Sequence, residues 1–563
     1  MSGDETASDP AARDGAPALL RLGRLRIARP RRVPVRWLSI FAASLTAFLI
    51  RLLVPVPVGQ ADNRDGPRVM CGFPLHMSPA YNHHDPRFFR FAYFRYATST
   101  VCHNHLPYPT SEIIPLVIAR GLTPLLGLPG QLNLIALGVL ICALASVGIA
   151  SLVTGLRIRL WAQVLLATCI WVIVADAAFF GVVASPFEEP AVIVGLLLVA
   201  AGLVYLGRGH REAAAGLALA GVGGFLAIVS KEQYLVLAVP VCPAIILASV
   251  TADSRGQRWR QRLRTRQVAR ATVVAVVLAL LAGTYAGWDA TSHYGQRLHH
   301  IQAVDAIFEN IVTGHDNEHA DLRALGLPQS WAKYAGTYYW ARKSVRKSPL
   351  YAKYEPELTD TNVARFLLTH PGRIWGIGQH AAIEAQVFRV TELGSYAPSA
   401  GHKKGAYESR VIVVTSLMHQ LPRKLGLYGL LPAWLLMAGI ALLALLCRRR
   451  RPWHRNAAVV VLCLTGCAVV AFIPPGFFEG ISTTRHMLGM NLATWLSIPL
   501  SVGLAVSMMA QLVTRRRPAP QASPASAQPE VALDNGLLPA RRPVPPRQAS
   551  LQQVALKPRG FVD

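Results

Sequence analysis

The sequence predicts an all-α polytopic membrane protein with about ten transmembrane helices, and three observations predict it. First, the chain of 563 residues is 52% hydrophobic and only 15% charged, against about 25% charged in an average soluble domain. Second, its apolar residues fall in continuous runs rather than in alternation, each close to the roughly 20 residues a helix needs to cross a hydrocarbon core about 30 Å thick. Third, nearly all of the formal charge of +27 falls in the two tails and in segments between alternate runs. Such a pattern reports sidedness, and nucleic-acid binding is not needed to explain it.

The ten runs cover 37–58, 131–155, 160–177, 190–207, 212–229, 234–251, 271–288, 427–447, 457–474 and 487–511. The first is too long for a signal-peptide core and no small-residue cleavage site follows it, so it reads as an anchor. The two tails and the segments 156–159, 208–211, 252–270 and 448–455 hold 32 Lys and Arg against 8 Asp and Glu, or +24, while the rest of the chain sums to +3. The basic segments are expected on the cytoplasmic side of a plasma membrane, with both termini. The organisation is then a basic tail (1–36), spans one to seven (37–288) with a large external loop at 59–130, a large external segment at 289–426, spans eight to ten (427–512) and a cytoplasmic tail (513–563). From Arg515 that tail has nine prolines in 49 residues, the composition of a disordered extension near anionic lipid.

Within the first external loop, 111–129 is apolar but contains Arg120 and internal prolines. It reads as a helix lying in the membrane interface, although packing over the span ends explains it equally well. Six cysteines lie in or beside spans, where a thiol is a small apolar group. Cys71 and Cys102 share the external loop, and an oxidising exterior favours a disulfide between them. His83-His84-Asp85 and His103-Asn104-His105 are types that bind metal, as is the H-x-x-E-H pattern at His315–His319; a polar loop and a solvated helix start account for them as well.

Charged residues at membrane depth are expensive, so their places are informative. Four clusters fall at helix ends on the external side: Gly59–Arg68 with Asp62 and Asp65; Asp176 with Ser185-Pro186-Phe187-Glu188-Glu189-Pro190; Ser230-Lys231-Glu232-Gln233; and Glu479–His486. Turn chemistry explains any one of them. Their shared placement predicts one pocket, because the turns carrying Glu188-Glu189 and Lys231-Glu232 are too short to move the charges away from the helix ends.

With these motifs, residues 37–512 resemble the GT-C class of glycosyltransferases, integral membrane enzymes that use polyprenyl-phosphate sugars. The likeness rests on the acidic residues after the first span, the Ser-Pro-Phe-Glu-Glu-Pro and Ser-Lys-Glu-Gln turns and the Arg485-His486 pair. The Leu325-Gly326-Leu327-Pro328 and Leu393-Gly394-Ser395-Tyr396 stretches look like the bacterial members of that class. The resemblance implies an external active site that moves a sugar, with inversion, from a polyprenyl-phosphate-linked donor to a glycan, lipid or protein acceptor. Asp62 or Asp65 would be the base, in place of the adjacent acidic pair found in the class. Lys231, Arg485, Arg68 and His486 would hold the phosphate, with Gln233 also binding substrate. Glu188 and Glu189 would help bind a divalent metal, Mg or Mn; as an acid pair at a helix start they also suit the macrodipole. The competing function is a transporter or flippase of a lipid-linked glycan, which uses a charged pocket without catalysis.

Reporter fusions after residues 260, 350 and 520 test the topology. They should read inside, outside and inside, and an external signal at 260 would reverse the sidedness.

Overall fold

The computed structural model describes residues 34–77, 88–98, 108–208, 210–251, 258–314, 317–422, 425–446, 452–480 and 483–516. The described residues up to Met509 form one compact unit, and residues 510–516, which are helical, fall in a second. The described residues are predominantly helical, as expected.

Helix α1 (Val35–Leu53) ends five residues before the expected boundary at 58, because Pro55 pushes Val54 into extended backbone and Pro57 follows. The segment between α1 and the next long helix holds a small antiparallel sheet of β1 (Leu75–Met77), β2 (Arg95–Thr98) and β3 (Leu132–Asn133), in that order, the last taking up the start of the run expected from 131. It also holds α2 (Ile113–Leu125), which buries Leu116, Ala119 and Thr123 and leaves Ile114, Val117, Ile118 and Leu125 exposed. That two-faced pattern suits the interfacial helix expected at 111–129. Then come α3 (Leu134–Gly155), α4 (Leu160–Ala175), α5 (Glu189–Leu206), α6 (His210–Ile228), α7 (Ala238–Thr251) and α8 (Arg258–Thr291). Helix α8 begins within the segment 252–270 that was expected to be a basic loop; Arg and Gln are good helix formers and simply extend the span. The large outer segment includes α9 (His293–Asp305), α10 (Asp360–Thr369) and α11 (Pro371–Ala385), and the last helices are α12 (Gly426–Leu446), α13 (Pro452–Ile473) and α14 (Leu488–Arg516).

Among the described residues, eight helical stretches are long and apolar enough to cross a membrane, and nine if α4 and Ala177–Ala184, bent by 55°, form one span. The tenth expected span is α6, whose apolar part, Glu212–Ile228, falls short of that length. Its ends nevertheless reach both faces of the bundle. Glu212 pairs with Arg157 at 3.2 Å and with Arg208 at 2.6 Å, beyond the ends of α3 and α5. At the other end the Ser111 N–H donates to the Val229 carbonyl at 2.9 Å.

Helix α5 is the central pillar, buried nearly all round. Its partner α6 lies so close that a Cβ on Gly202 would sit 2.5 Å from the Ala220 backbone nitrogen and one on Gly195 2.6 Å from that of Ala227. Small residues allow this approach in membrane helices, and the contact fixes where the α5 N-terminus, with Glu188 and Glu189, stands.

The outer segment has an apolar core of its own around Phe308, Trp331, Leu358 and Phe366. His299 ties it to the end of α8, with Nε2 2.9 Å from Asp289 Oδ2 and Nδ1 2.6 Å from Asp360 Oδ2. The hydrogen bonds to Asp289 and Asp360 push the imidazole up to about 10. A group whose pKa is raised on folding stabilises fully below its unfolded value, near 6.5, and loses the effect as pH rises through the folded value. The thermal midpoint of the wild type should therefore fall between pH 7 and pH 10 more steeply than that of His299→Gln, which should be less stable at pH 6. Parallel pH curves for the two proteins would contradict the clamp.

Candidate active site at the ends of the central helices

The loop after α1 is held as an extra strand-like segment. The Gly59 and Ala61 N–H groups donate to the Ser395 and Gly394 carbonyls at 3.0 and 2.8 Å, which places the expected Leu-Gly-Ser-Tyr stretch beside the pocket. A Cβ at Gly394 would lie 2.1 Å from the Arg90 carbonyl oxygen, so no larger residue fits there without movement. Asp62 is buried, and its Oδ1 accepts from the Arg64 and Gly66 N–H groups at 2.7 and 3.0 Å. It closes the turn that presents Asp65.

Asp65 points to the pocket. Its Oδ2 accepts from Arg485 Nη2 at 2.5 Å and from Asn63 Nδ2 at 3.0 Å, and its side chain is 32% exposed. Burial of the pocket works against its charge, but Arg485, Arg68 and Lys231 outweigh it and hold the carboxyl far below the usual range. Arg68 Nε donates to Glu188 Oε1 at 2.6 Å, and its guanidinium lies 5.0 Å over the Tyr108 ring. Glu189 Oε1 is 3.5 Å from Arg485 Nε and 3.9 Å from Lys231 Nζ. Gln233 Nε2 donates to the His486 carbonyl at 3.0 Å, and the His486 imidazole pairs with Glu479. Burial, with Lys231 next, lowers the His486 pKa.

The structure thus brings all four clusters together. Asp62, Asp65, Arg68, Glu188, Glu189, Lys231, Gln233, Arg485 and His486 meet at the ends of α1, α5, α6, α13 and α14 that share a face. Asp176 is apart from them and structural: its carboxylate accepts from the N–H groups of Ala178, Val414 and Thr415 at 3.1, 2.8 and 3.1 Å.

Several of these groups are buried and charged yet make no hydrogen bond to protein, notably Lys231 Nζ, both Glu189 oxygens, Glu188 Oε2, Arg68 Nη2 and Arg485 Nη1. Buried polar atoms are nearly always bonded. Their concentration here marks a site shaped for a polar, charged ligand. Glu188 and Glu189 face Arg68, Lys231 and Arg485, and among the described residues no three His, Cys, Asp or Glu side chains are grouped to hold a metal ion. The positive charge beside the two carboxylates in this arrangement comes from the protein's own cations.

Two site residues escaped the sequence reading. Tyr108 donates its hydroxyl to Glu232. Glu112 is fully buried, its carboxyl facing the Ala191 backbone at the start of α5; it is the one acidic residue in the apolar stretch 111–129, a signal that was available. Its backbone is fixed by Thr110 Oγ1, which donates to the Ser230 carbonyl at 2.6 Å, and by Ser111 Oγ, which donates to that of Leu226 at 2.8 Å. Burial pushes the Glu112 carboxyl well above its ordinary value, with Glu188 and Glu189 adding to the effect.

Cys71 is disulfide-bonded, and Cys102 lies outside the described residues, as do His83-His84-Asp85, His103-Asn104-His105 and His315. Asn317 caps the short helix Glu318–Ala324 by accepting from the Ala320 N–H at 3.2 Å, so Glu318 and His319 form a helix start.

A family model described as the YfdI N-terminal transmembrane domain matches residues 28–492. No curated protein and no solved structure matches the chain with significance.

Glu112→Gln should be tolerated, because Gln reproduces the neutral acid. A carboxyl raised on folding binds a proton more tightly in the native state, so wild-type stability declines as pH rises above about 4.5. The variant should lack that decline and be at least as stable at pH 8, measured as a thermal midpoint in detergent. A large loss of stability at pH 8 in the variant would show that Glu112 is needed as an anion.

Proposed function

This chain belongs to the YfdI N-terminal transmembrane domain family, and we propose that it is an inverting glycosyltransferase that moves a sugar from a polyprenyl-phosphate donor to an acceptor hydroxyl at the external face of the membrane. The observation that supports this reading most is the convergence of four distant turns on one buried pocket, where Asp65 meets Arg485 and where cations and carboxylates that keep unbonded polar atoms face one another. The external placement rests on the charge pattern. Arg157 and Arg208, from two of the basic segments, lie together on Glu212 at the far face from the pocket.

Asp65 is the better base of the two candidates, since Asp62 is occupied by the turn and Asp65 is partly open. The acceptor hydroxyl gives its proton to Asp65 as its oxygen bonds to the anomeric carbon. The bond from that carbon to the phosphate oxygen breaks on the opposite side, and the electron pair leaves with the lipid phosphate. Arg485 and Lys231 neutralise the charge that develops there. One carboxylate suffices, because the phosphate leaves without an acid. Arg485 also explains how so acidic a carboxyl serves as base: an arriving phosphate competes for the guanidinium, and Asp65 regains basicity as that bond weakens.

Sugar transfer from a polyprenyl-phosphate sugar, measured in membranes that hold equal amounts of each protein, tests the assignment. Asp65→Asn should lose at least about 10²-fold, the lower range for base catalysis. Asp62→Asn, which keeps an oxygen for the two backbone donors, should lose less. Near-wild-type transfer by Asp65→Asn would reject the loop as the catalytic centre and favour a transporter of the lipid-linked glycan.

A further inference from the structure

In the outer segment, residues 333–354 carry six cations, Lys333, Arg342, Lys343, Arg346, Lys347 and Lys353, and no acidic residue. The local fold decides which way they face. Ser344, Val345 and Ser348 are buried, Val345 in the apolar core with Trp331 and Ser348 through its hydroxyl, which accepts from Trp331 Nε1 at 3.0 Å. Ser344 Oγ caps the short turn Val345–Lys347 by accepting from the Arg346 N–H at 3.4 Å. With these residues pinned inward, Arg342, Lys343 and Lys347 are left exposed. Aromatic rings stand among them. Trp340 is 51% and Tyr338 37% exposed, and the Arg346 guanidinium lies 4.8 Å over the Trp340 ring and 5.1 Å over that of Tyr339. Among the described residues none of Arg342, Lys343, Arg346 and Lys347 pairs with a carboxylate, and Glu355, the first acid that follows in the chain, turns to His300 at 3.6 Å.

The patch adjoins the charged pocket. The Tyr339 N–H donates to Asp305 Oδ1, a Cβ on Gly480 would lie 2.4 Å from the Asp305 carbonyl oxygen, and Asn310 Nδ2 donates to the Glu479 carbonyl at 2.8 Å. The patch is thus braced against the segment that leads to Arg485 and His486. Cations gathered without carboxylates repel one another and draw a partner that carries several negative charges. The rings between them add a second demand, since an exposed Trp or Tyr offers a broad apolar face with a polar edge. A chain of acidic sugars meets both, because each ring has an apolar C–H face and each acid suits a guanidinium or ammonium. A lipid surface suits a different face of this protein: α2 exposes the aliphatic Ile114, Val117, Ile118 and Leu125, which enter hydrocarbon readily, whereas the patch exposes Tyr, Trp and cations with Leu350 as its one large aliphatic side chain. We propose that the surface formed by Tyr338, Trp340, Arg342, Lys343 and Lys347 binds an acidic glycan, sugar rings stacking on the aromatic residues and acid groups meeting the cations. In terms of the transfer reaction, on which this last step alone rests, that glycan is the acceptor, held at the edge of the pocket.

Equilibrium binding of an oligogalacturonate, a neutral dextran oligomer of equal length and polyglutamate to the purified full chain in uncharged detergent tests the surface without any assay of transfer. The oligogalacturonate should bind more tightly than either of the others, because dextran lacks the charge and polyglutamate lacks the rings, and added salt should weaken it. Arg342→Gln, Lys343→Gln and Lys347→Gln combined should weaken it about tenfold or more, as expected for loss of charge-assisted contacts. Trp340→Ala should weaken the oligogalacturonate and leave polyglutamate unchanged. All of these side chains are exposed, and an unchanged thermal midpoint in each variant shows that the fold is kept. Dextran or polyglutamate binding as tightly as the oligogalacturonate, or wild-type affinity in the triple variant, would overturn the proposal. So would displacement of the oligogalacturonate by the soluble lipid dihexanoylphosphatidylglycerol, which would assign the patch to lipid headgroups. If the acidic glycan binds as expected but no sugar transfer is found, the surface stands and the transferase reading falls; transfer without such binding has the opposite meaning.

Discussion

The pocket depends on Arg485. Its side chain is 4% exposed, bonded to Asp65 at 2.5 Å, paired with Glu189 at 3.5 Å and stacked 4.9 Å from the Phe187 ring. A guanidinium cannot be deprotonated at accessible pH, so burying it obliges the fold to bring carboxylates to it. Those carboxylates come from the loop after α1 and from the start of α5, and Arg485 itself lies 420 positions from Asp65. Helices with no other reason to end at one point are thereby held around it. Lys231 and Arg68 repeat the arrangement with Glu189 and Glu188, which makes the pocket a network in which each charge has an opposite neighbour.

How much of this could be read from the sequence follows from the physics of each element. The spans were legible because lipid tolerates no unpaired backbone and demands long apolar runs. The boundaries were less so. Helix α8 carries on through its arginines because nothing stops it, and α1 halts at prolines that lie inside an apolar run. Helix α6 has the weakest signal of all; glycines at 216, 221, 223 and 224 dilute its hydropathy, yet those that touch α5 permit the contact that holds the central pillar. The three short strands between α1 and α3 carry no pattern longer than four residues, too little to recognise.

The site was legible as a set of places rather than as a set of roles. Charges such as Glu188, Lys231 and Arg485 stand out against apolar neighbours, and short turns fixed them at the helix ends. Which of Asp62 and Asp65 faces the pocket depends on the turn that Asp62 closes with the Arg64 and Gly66 N–H groups, and no spacing announces that. Glu188 and Glu189 show the reverse lesson: an adjacent acid pair alone suggests a metal, and only the fold shows that Arg68, Arg485 and Lys231 stand against them.

The network that results, in which Asp65, Glu188 and Glu189 alternate with Arg485, Arg68 and Lys231, is the feature that joins fold to chemistry. It fixes charges of both signs before any ligand arrives, and for the transfer proposed here that is the kind of preorganisation that lowers a transition-state barrier without later rearrangement. All of it presumes that Asp65 and Arg485 hold each other across the pocket. A double-mutant cycle on the unfolding free energy of Asp65→Asn, Arg485→Gln and the combined variant measures that contact directly. The pairing seen here predicts a coupling of at least about 1 kcal/mol, the range found for groups in direct contact; additive losses with no coupling would contradict it.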